Sequence, residues 1–256
     1  MKRICMIFAL CVLVVFCISA QNRNFNAMSL NGITGLYVVP TARLGIEDAK
    51  LGFNSGYHMN FVNGKLEDLF QFNMGFNNLF EVAATYVGQA GDKDDDLLIG
   101  AKIRLPVSGS AIALGGNVAY NNFGASGKHF GGQFYGVVTY QAELFGSQAD
   151  TTFLIGKTFH EGETINSDID FGMGFDLVVL PKYLDRFVHW IVDFSNYGEI
   201  ARISPNRGSV NTGIRIDMSQ IPALQKFNFA IDAYLTDAFD AYERSFGIGA
   251  TFGMRF

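Results

Sequence analysis

Four histidines, His58, His129, His160 and His189, and the serine Ser195 are the side chains of this 256-residue chain best suited to hydrolytic chemistry. A membrane-embedded, lipid-modifying hydrolase would need one such imidazole beside a serine hydroxyl, with a carboxylate behind it. His189, Asp193 and Ser195 fall on one side of a period-two stretch. Four residues along a strand cover about 13 Å at ~3.3 Å per residue, too far for a hydrogen bond between His189 and Asp193. The trio is therefore no ready-made triad, and a serine from a neighbouring strand would have to complete it. Asp92, Asp94 and Asp96 in "GDKDDD" have the one-three-five spacing of a calcium loop, but Leu97 stands where that loop needs glycine and Ile103 where it needs glutamate. The stretch reads as a solvated hairpin tip. No catalytic set, metal or cofactor is expected.

A second group of chemically capable residues recurs on the polar side of alternating segments. Glu81, Lys102 and Arg104 stand early in the chain, Asp170, Asp176, His189 and Asp193 in its middle, and Arg215, Asp217, Asp232 and Arg255 late. Mixed signs facing one interior at low dielectric imply cross-strand ion pairs that fix register, and a channel lining is the sharper reading of the same set.

The elements that must position these residues follow from alternation. In "RSFGIGATFGMRF", Phe246, Ile248, Ala250, Phe252, Met254 and Phe256 fall on one side, and Ser245, Gly247, Gly249, Thr251, Gly253 and Arg255 on the other. A β-strand sends successive side chains to opposite faces, so this is a strand with one wholly apolar face. The pattern recurs at Leu51, Phe53, Tyr57, Met59 and Phe61, again at Phe70, Phe72, Met74 and Phe76, and in later copies. It predicts about twelve strands, near 49–61, 67–76, 79–88, 96–105, 111–121, 130–144, 150–159, 168–179, 186–195, 208–217, 226–235 and 244–256, with ten to fourteen allowed.

A soluble sandwich or barrel would turn this apolar face inward; a membrane barrel would turn it to lipid. The partners on the polar face separate the two, because they are mostly Gly, Asn, Ser, Thr and Gln rather than Lys and Glu. The chain carries 17% charged residues, against roughly 25% in ordinary soluble domains, together with 29 Gly and 25 Phe. Neither a lipid face nor a narrow interior accommodates many unpaired charges. Connection lengths point the same way. Asn77 and Asn78 alone join the second and third strands, whereas "GQAGDKDD", "NFGASGKH", "HEGETINS" and "NYGEIARISPNR" fill odd-to-even connections, the ordering of short periplasmic turns and longer external loops. "DMSQIPALQK" is long for its place in that scheme.

The chain opens with "MKRICMIFALCVLVVFCISAQ", two basic residues and an apolar run ending at Ser19 and Ala20, which reads as a secretory signal peptide over residues 1–20. A lipoprotein signal at Cys17 would need a small residue where Phe16 stands. All three cysteines, Cys5, Cys11 and Cys17, lie in this segment. Removing Lys2 and Arg3 leaves 17 basic against 24 acidic residues, a net charge of -7 that excludes a nucleic-acid partner.

Ahead of the first clear strand, "NGITGLYVVPTARLG" contains a stretch, Gly35 to Val39, that could pair as a short strand ended by Pro40. The stretch resembles the Gly-Leu-x-x-x-Pro-Thr-Ala segment near the mature start of the YjbH family of outer-membrane proteins, through Gly35, Leu36, Pro40, Thr41 and Ala42. "NNLFEVAATY" and "NRGSVNTGIRI" are weaker echoes. Members of that family are longer, so the match would cover one barrel unit. The resemblance implies an association with exopolysaccharide and with polysaccharide-export components of the envelope. The terminal Phe256 likewise resembles the signal by which barrel-insertion machinery recognises its clients; its alternative role is that of a girdle aromatic.

Together these readings predict an all-β, antiparallel up-and-down transmembrane barrel over residues 49–256, following a periplasmic or lumenal segment at 21–48. The expected location is the outer membrane, in contact with its lipid, and the expected role is structural or that of a narrow channel. A lipid-modifying membrane enzyme and a soluble periplasmic ligand-binding barrel remain the alternatives.

Overall fold

The computed structural model describes residues 26–47, 49–62, 64–89, 95–107, 110–122, 128–161, 169–184, 186–197, 208–221, 224, 227–239 and 244–256. The expected signal peptide, with its cysteines, lies outside the described residues, as do Asp92 and Asp94 of the acidic hairpin tip. Twelve antiparallel strands form one closed barrel: β1 (Leu51–Val62), β2 (Lys65–Phe76), β3 (Phe80–Gln89), β4 (Asp95–Leu105), β5 (Ala111–Asn122), β6 (Lys128–Leu144), β7 (Ser147–His160), β8 (Asp170–Val178), β9 (Val188–Ser195), β10 (Ser209–Asp217), β11 (Phe227–Thr236) and β12 (Ser245–Arg255). Every strand read from alternation is present, with no end displaced by more than three residues.

Closure is made by β1, which pairs β2 on one side and β12 on the other, from Gly52 opposite Arg255 to Val62 opposite Ser245. Beyond the strand, the Phe256 amide donates to the Leu51 carbonyl at 2.8 Å. The final strand is therefore paired on both sides and has no free edge.

Burial is inverted relative to a water-soluble domain. Phe246, Ile248 and Phe252 on β12, and Leu97, Ile99 and Ile103 on β4, are exposed on the outside of the wall, while Thr251, Lys102 and Asp193 are buried inside it. On β4 the outward apolar positions run from Leu97 to Leu105, roughly 20 Å of height for tilted strands at ~3.3 Å per residue, close to the apolar band of a membrane barrel.

The two ends of the barrel differ. At one end, β2 turns into β3 through Asn77, Asn78 and Leu79, the first two with φ of 49° and 54°, and β6 into β7 through Phe145 and Gly146 alone, at 53° and 74°. Two consecutive left-handed residues are what the two-residue hairpin at Phe145 and Gly146 needs, and the same pair of conformations closes the turn at Asn77 and Asn78 through the Leu79 amide on the Phe76 carbonyl at 2.9 Å. At this short-turn end, a four-residue helix, Pro181–Leu184, also links β8 to β9, and a 3-10 turn, Met218–Gln220, follows β10. The expected alternation of lengths is only partial: the link from β9 to β10 (196–208) is longer than any at the short-turn end, but the links 179–187 and 218–226 there are nine residues each, and that from β1 to β2 at the other end is two.

Residues 26–47 fill the interior. They enter and leave toward the short-turn end, where the Asn26 amide donates to the Gly45 carbonyl at 3.0 Å and Ile46 lies against Gly52. Between these ends the chain climbs to Leu36 and Val39, which rest on Gly174 and Gly172 of β8. The short strand expected from Gly35 to Val39 does not form. Instead Gly35 and Pro40 face each other across a tight turn, closed by the Leu36 amide on the Val39 carbonyl at 3.0 Å. An extended strand would send successive amides in opposite directions, whereas here the wall offers one carboxylate on which three of them converge.

Candidate functional site

The lumen and the segment inside it form the candidate site, because four inward charges of the wall, Glu81, Lys102, Asp193 and Arg215, bond the backbone of residues 26–47. Glu81 and Lys102 stand opposite each other on β3 and β4, with Nζ 3.5 Å from Oε1. Glu81 accepts the Thr34 amide at 2.8 Å, the Thr34 hydroxyl at 2.6 Å and the Gly45 amide at 3.0 Å. Lys102 donates to the carbonyls of Thr34, Thr41 and Arg43, at 3.2, 2.9 and 2.6 Å. Two buried charges thus neutralise each other and also satisfy six polar contacts of a segment that has almost no regular structure of its own. Without those contacts, the buried amides and carbonyls would cost free energy comparable to lost hydrogen bonds.

Asp193 on β9 does the same across the barrel. Its Oδ2 accepts the successive backbone amides of Tyr37, Val38 and Val39, at 2.7, 2.8 and 3.3 Å, and its Oδ1 accepts from the Asn211 side-chain Nδ2 at 2.5 Å. Arg215 and Asp232, opposite on β10 and β11, meet at 2.7 Å, with His58 Nε2 3.7 Å from the other carboxylate oxygen. The Arg215 guanidinium also lies 5.8 Å from the centre of the Tyr37 ring, which stacks on Tyr234 at 4.8 Å. Burial, reinforced by Asp232, holds the Tyr37 phenol well above its ordinary range, so it remains neutral.

The segment brings its own charges. Arg43 meets Asp150 of β7 at 3.2 Å, and Glu47 accepts from Arg104 at 3.1 Å. Smaller groups complete the attachment: the Ala42 amide donates to Thr139, Gln71 donates to the carbonyls of Ser29 and Leu30, and Asn73 donates to that of Gly32.

Of the expected inward residues, Glu81, Lys102, Arg104, Asp193 and Arg215 contact this segment directly, and Asp232 does so through Arg215. Asp170 is held apart from it by Gln133 and Thr158, at 2.8 and 2.5 Å. Asp176 pairs with His189 at 2.6 Å, Asp217 caps the 3-10 turn through Ser219, and Arg255 is exposed at the rim. Gly35, Leu36, Pro40, Thr41 and Ala42 all lie in the lumen rather than on the wall. The residues considered for hydrolysis are engaged elsewhere: His189 by Asp176, Asp193 by the three amides, and Ser195 by the Tyr197 carbonyl at 2.6 Å. Sequence reasoning missed Asp150, Arg43 and Glu47. Asp150 shares the inward parity of Thr152 and Leu154, so alternation could have found it; Arg43 and Glu47 lie in a segment with no period to read.

The barrel is similar to solved outer-membrane porins. The structure described as KdgM porin in complex with disordered oligogalacturonate matches with a TM-score of 0.51 at 8% identity, over 78% of this chain and 98% of that one. The Acinetobacter baumannii outer membrane protein Omp33 gives 0.51 at 10% identity over 82% and 100%, and the NanC porin 0.50 at 11% over 79% and 98%. At these identities the likeness is one of fold. No protein family matches the sequence, and no curated protein sequence matches it.

Proposed function

We propose that this chain is an outer-membrane β-barrel whose lumen is closed at rest by its own residues 26–47, and that it works as a narrow channel opened when that segment moves. The observation that carries the proposal is the inverted wall, apolar outside and charged inside, with Glu81, Lys102, Asp193 and Arg215 engaged by a segment that belongs to neither face. The outer face also favours lipid over the soluble-barrel alternative, since a soluble protein rarely leaves an apolar girdle of this extent in water. The likeness in fold to porins supports a channel, and the closed lumen equally suits a structural barrel.

In this reading, export removes residues 1–20 and the insertion machinery recognises the C-terminal strand ending at Phe256. The Gly35, Leu36, Pro40, Thr41 and Ala42 stretch, similar to that of the YjbH family, supports a link to surface polysaccharide and its export components. The test is single-channel recording of the purified full-length protein in planar bilayers. Wild type should conduct rarely. The full-length variant Thr34→Val/Arg43→Gln, which loosens the segment without altering the wall, should conduct more often. Silence from both would leave a structural role.

A further inference from the structure

Resting on the channel reading, we infer that the passage opens along one side of the lumen, between residues 26–47 and the wall formed by β11, β12 and β1, and that it takes small hydrophilic solutes. The segment is attached unevenly. Its hydrogen bonds reach β2, β3, β4, β6, β7 and β9 through Gln71, Glu81, Lys102, Thr139, Asp150 and Asp193. On β10, Arg215 meets the carbonyls of Met28 and Gly35 only at 3.5 Å, the outer limit of a hydrogen bond. None of the hydrogen bonds described for residues 26–47 reaches β11, β12 or β1, the three neighbouring strands where the barrel closes. The contacts described there are those of packing: Met28 lies against Gly56, Ile46 against Gly52, and the Tyr37 ring on that of Tyr234.

The wall on that side is thin and polar. The inward positions of β12 carry no side chain larger than that of Thr251, and rings from β11 and β1 lie across its glycines. A Cβ at Gly247 would meet the Tyr234 ring, and one at Gly249 the His58 ring. Polar atoms are stranded along this face. Thr251 Oγ1, His58 Nδ1 and the Tyr37 hydroxyl are buried without a hydrogen-bond partner among the described residues. Gln71, whose Nε2 holds the segment, turns an unpartnered Oε1 toward Gly56, and Asp232 Oδ2 lacks a partner too, with His58 Nε2 at 3.7 Å. Each is a polar group whose desolvation the closed lumen leaves uncompensated.

Parting of the segment from this face hydrates all of these atoms and leaves the bonds to β2, β3, β4, β6, β7 and β9 intact. Asn117, Tyr135 and Tyr197 also carry unpartnered atoms, but on the side where Glu81, Lys102, Thr139 and Asp193 hold the segment, so exposing them means breaking those bonds. The side of least resistance is therefore β11, β12 and β1. Its hydroxyl, amide and imidazole groups over glycine backbone offer hydrogen bonds of both polarities, and Asp232 is already neutralised by Arg215. Such a lining suits small hydrophilic solutes rather than apolar ones.

Single cysteines in the full-length Thr34→Val/Arg43→Gln protein provide the test, since that variant leaves the Gln71, Lys102 and Asp193 bonds in place. Thr251→Cys puts a thiol on the inferred passage, and His58→Cys gives a second position on the same side. Thr152→Cys puts one on β7, where Thr152 is equally buried and meets the Thr139 hydroxyl at 2.9 Å. A small hydrophilic methanethiosulfonate is added during planar-bilayer recording, and the loss of open-channel current is followed against the parent without an introduced cysteine. The expected result is a block at Thr251→Cys and His58→Cys that develops several-fold faster than at Thr152→Cys. Equal rates on the two sides, the reverse order, or no block at any position in a conducting protein would overturn the inference while leaving the channel reading intact. Absence of conductance in every variant would remove the channel reading and this inference with it.

Discussion

Asp193 and Tyr37 lie 156 residues apart in sequence, yet the Tyr37 amide donates to Asp193 Oδ2 at 2.7 Å, and the next two amides converge on the same oxygen. One carboxylate thereby fixes the turn that occupies the middle of the lumen. A single bond of this charge-assisted type contributes about 1.5–3 kcal/mol, and buried amides left without acceptors cost a similar amount each. Asp193→Ala should therefore loosen residues 37–39 more than Asp193→Asn, which keeps one acceptor oxygen. Hydrogen exchange at these three amides should rise in both variants, by more in the alanine; unchanged protection would show that packing alone holds the turn.

The strands were legible because each must present lipid on one side and a polar interior on the other, and that demand writes a period of two into residues such as Phe246 to Phe256. The lumenal segment obeys no such rule. Surrounded by wall on all sides, residues such as Ile33, Val39, Ala42 and Leu44 are buried whatever their parity. Its conformation is set by partners dozens of residues away, Glu81, Lys102 and Asp193 among them. The inward charges could be placed from alternation, but what they hold could not, since nothing in their own strands specifies an occupant.

The Glu81–Lys102 pair is expected to behave as a unit. Lys102→Met would leave Glu81 buried without its cation and remove the Lys102 bonds to the Thr41 and Arg43 carbonyls, while the Thr34 carbonyl keeps the Thr41 amide at 3.1 Å; breaking one side of a buried pair costs about 3–5 kcal/mol. Adding Glu81→Gln removes the stranded charge and should recover part of that loss. Thermal unfolding in detergent, compared across the two single variants and the double, measures the coupling; strictly additive effects would deny it.

Gly249 faces inward beneath the His58 ring, and a Cβ there would collide with that ring. Gly249→Ala should destabilise the barrel by roughly 1–3 kcal/mol through overpacking, and His58→Ala in the same chain should relieve it. Ala250→Val, one residue along and facing outward, should be tolerated. Equal effects at 249 and 250 would contradict the assigned faces of β12.

Trp190, the only tryptophan of the chain, lies on the outward face of β9, edge-on to Phe175, with its indole N–H donating to Thr212 at 2.9 Å. In liposomes with brominated acyl chains its fluorescence should be strongly quenched, whereas aqueous iodide should have little effect. The reverse order of quenching would place this face in water and favour a soluble barrel.

Phe256 separates folding from assembly. Its backbone closes the barrel on Leu51, but its side chain is 67% exposed. Truncating that side chain therefore removes little packing. Phe256→Ala should refold in detergent with nearly wild-type stability, because the hydrogen bonds to Leu51 use main-chain atoms. In cells the same variant should accumulate outside the outer membrane if the insertion machinery reads the terminal aromatic ring. Pulse-labelling followed by membrane fractionation distinguishes the roles: normal insertion rates would reduce Phe256 to a girdle residue, and poor refolding in detergent would make its role one of packing.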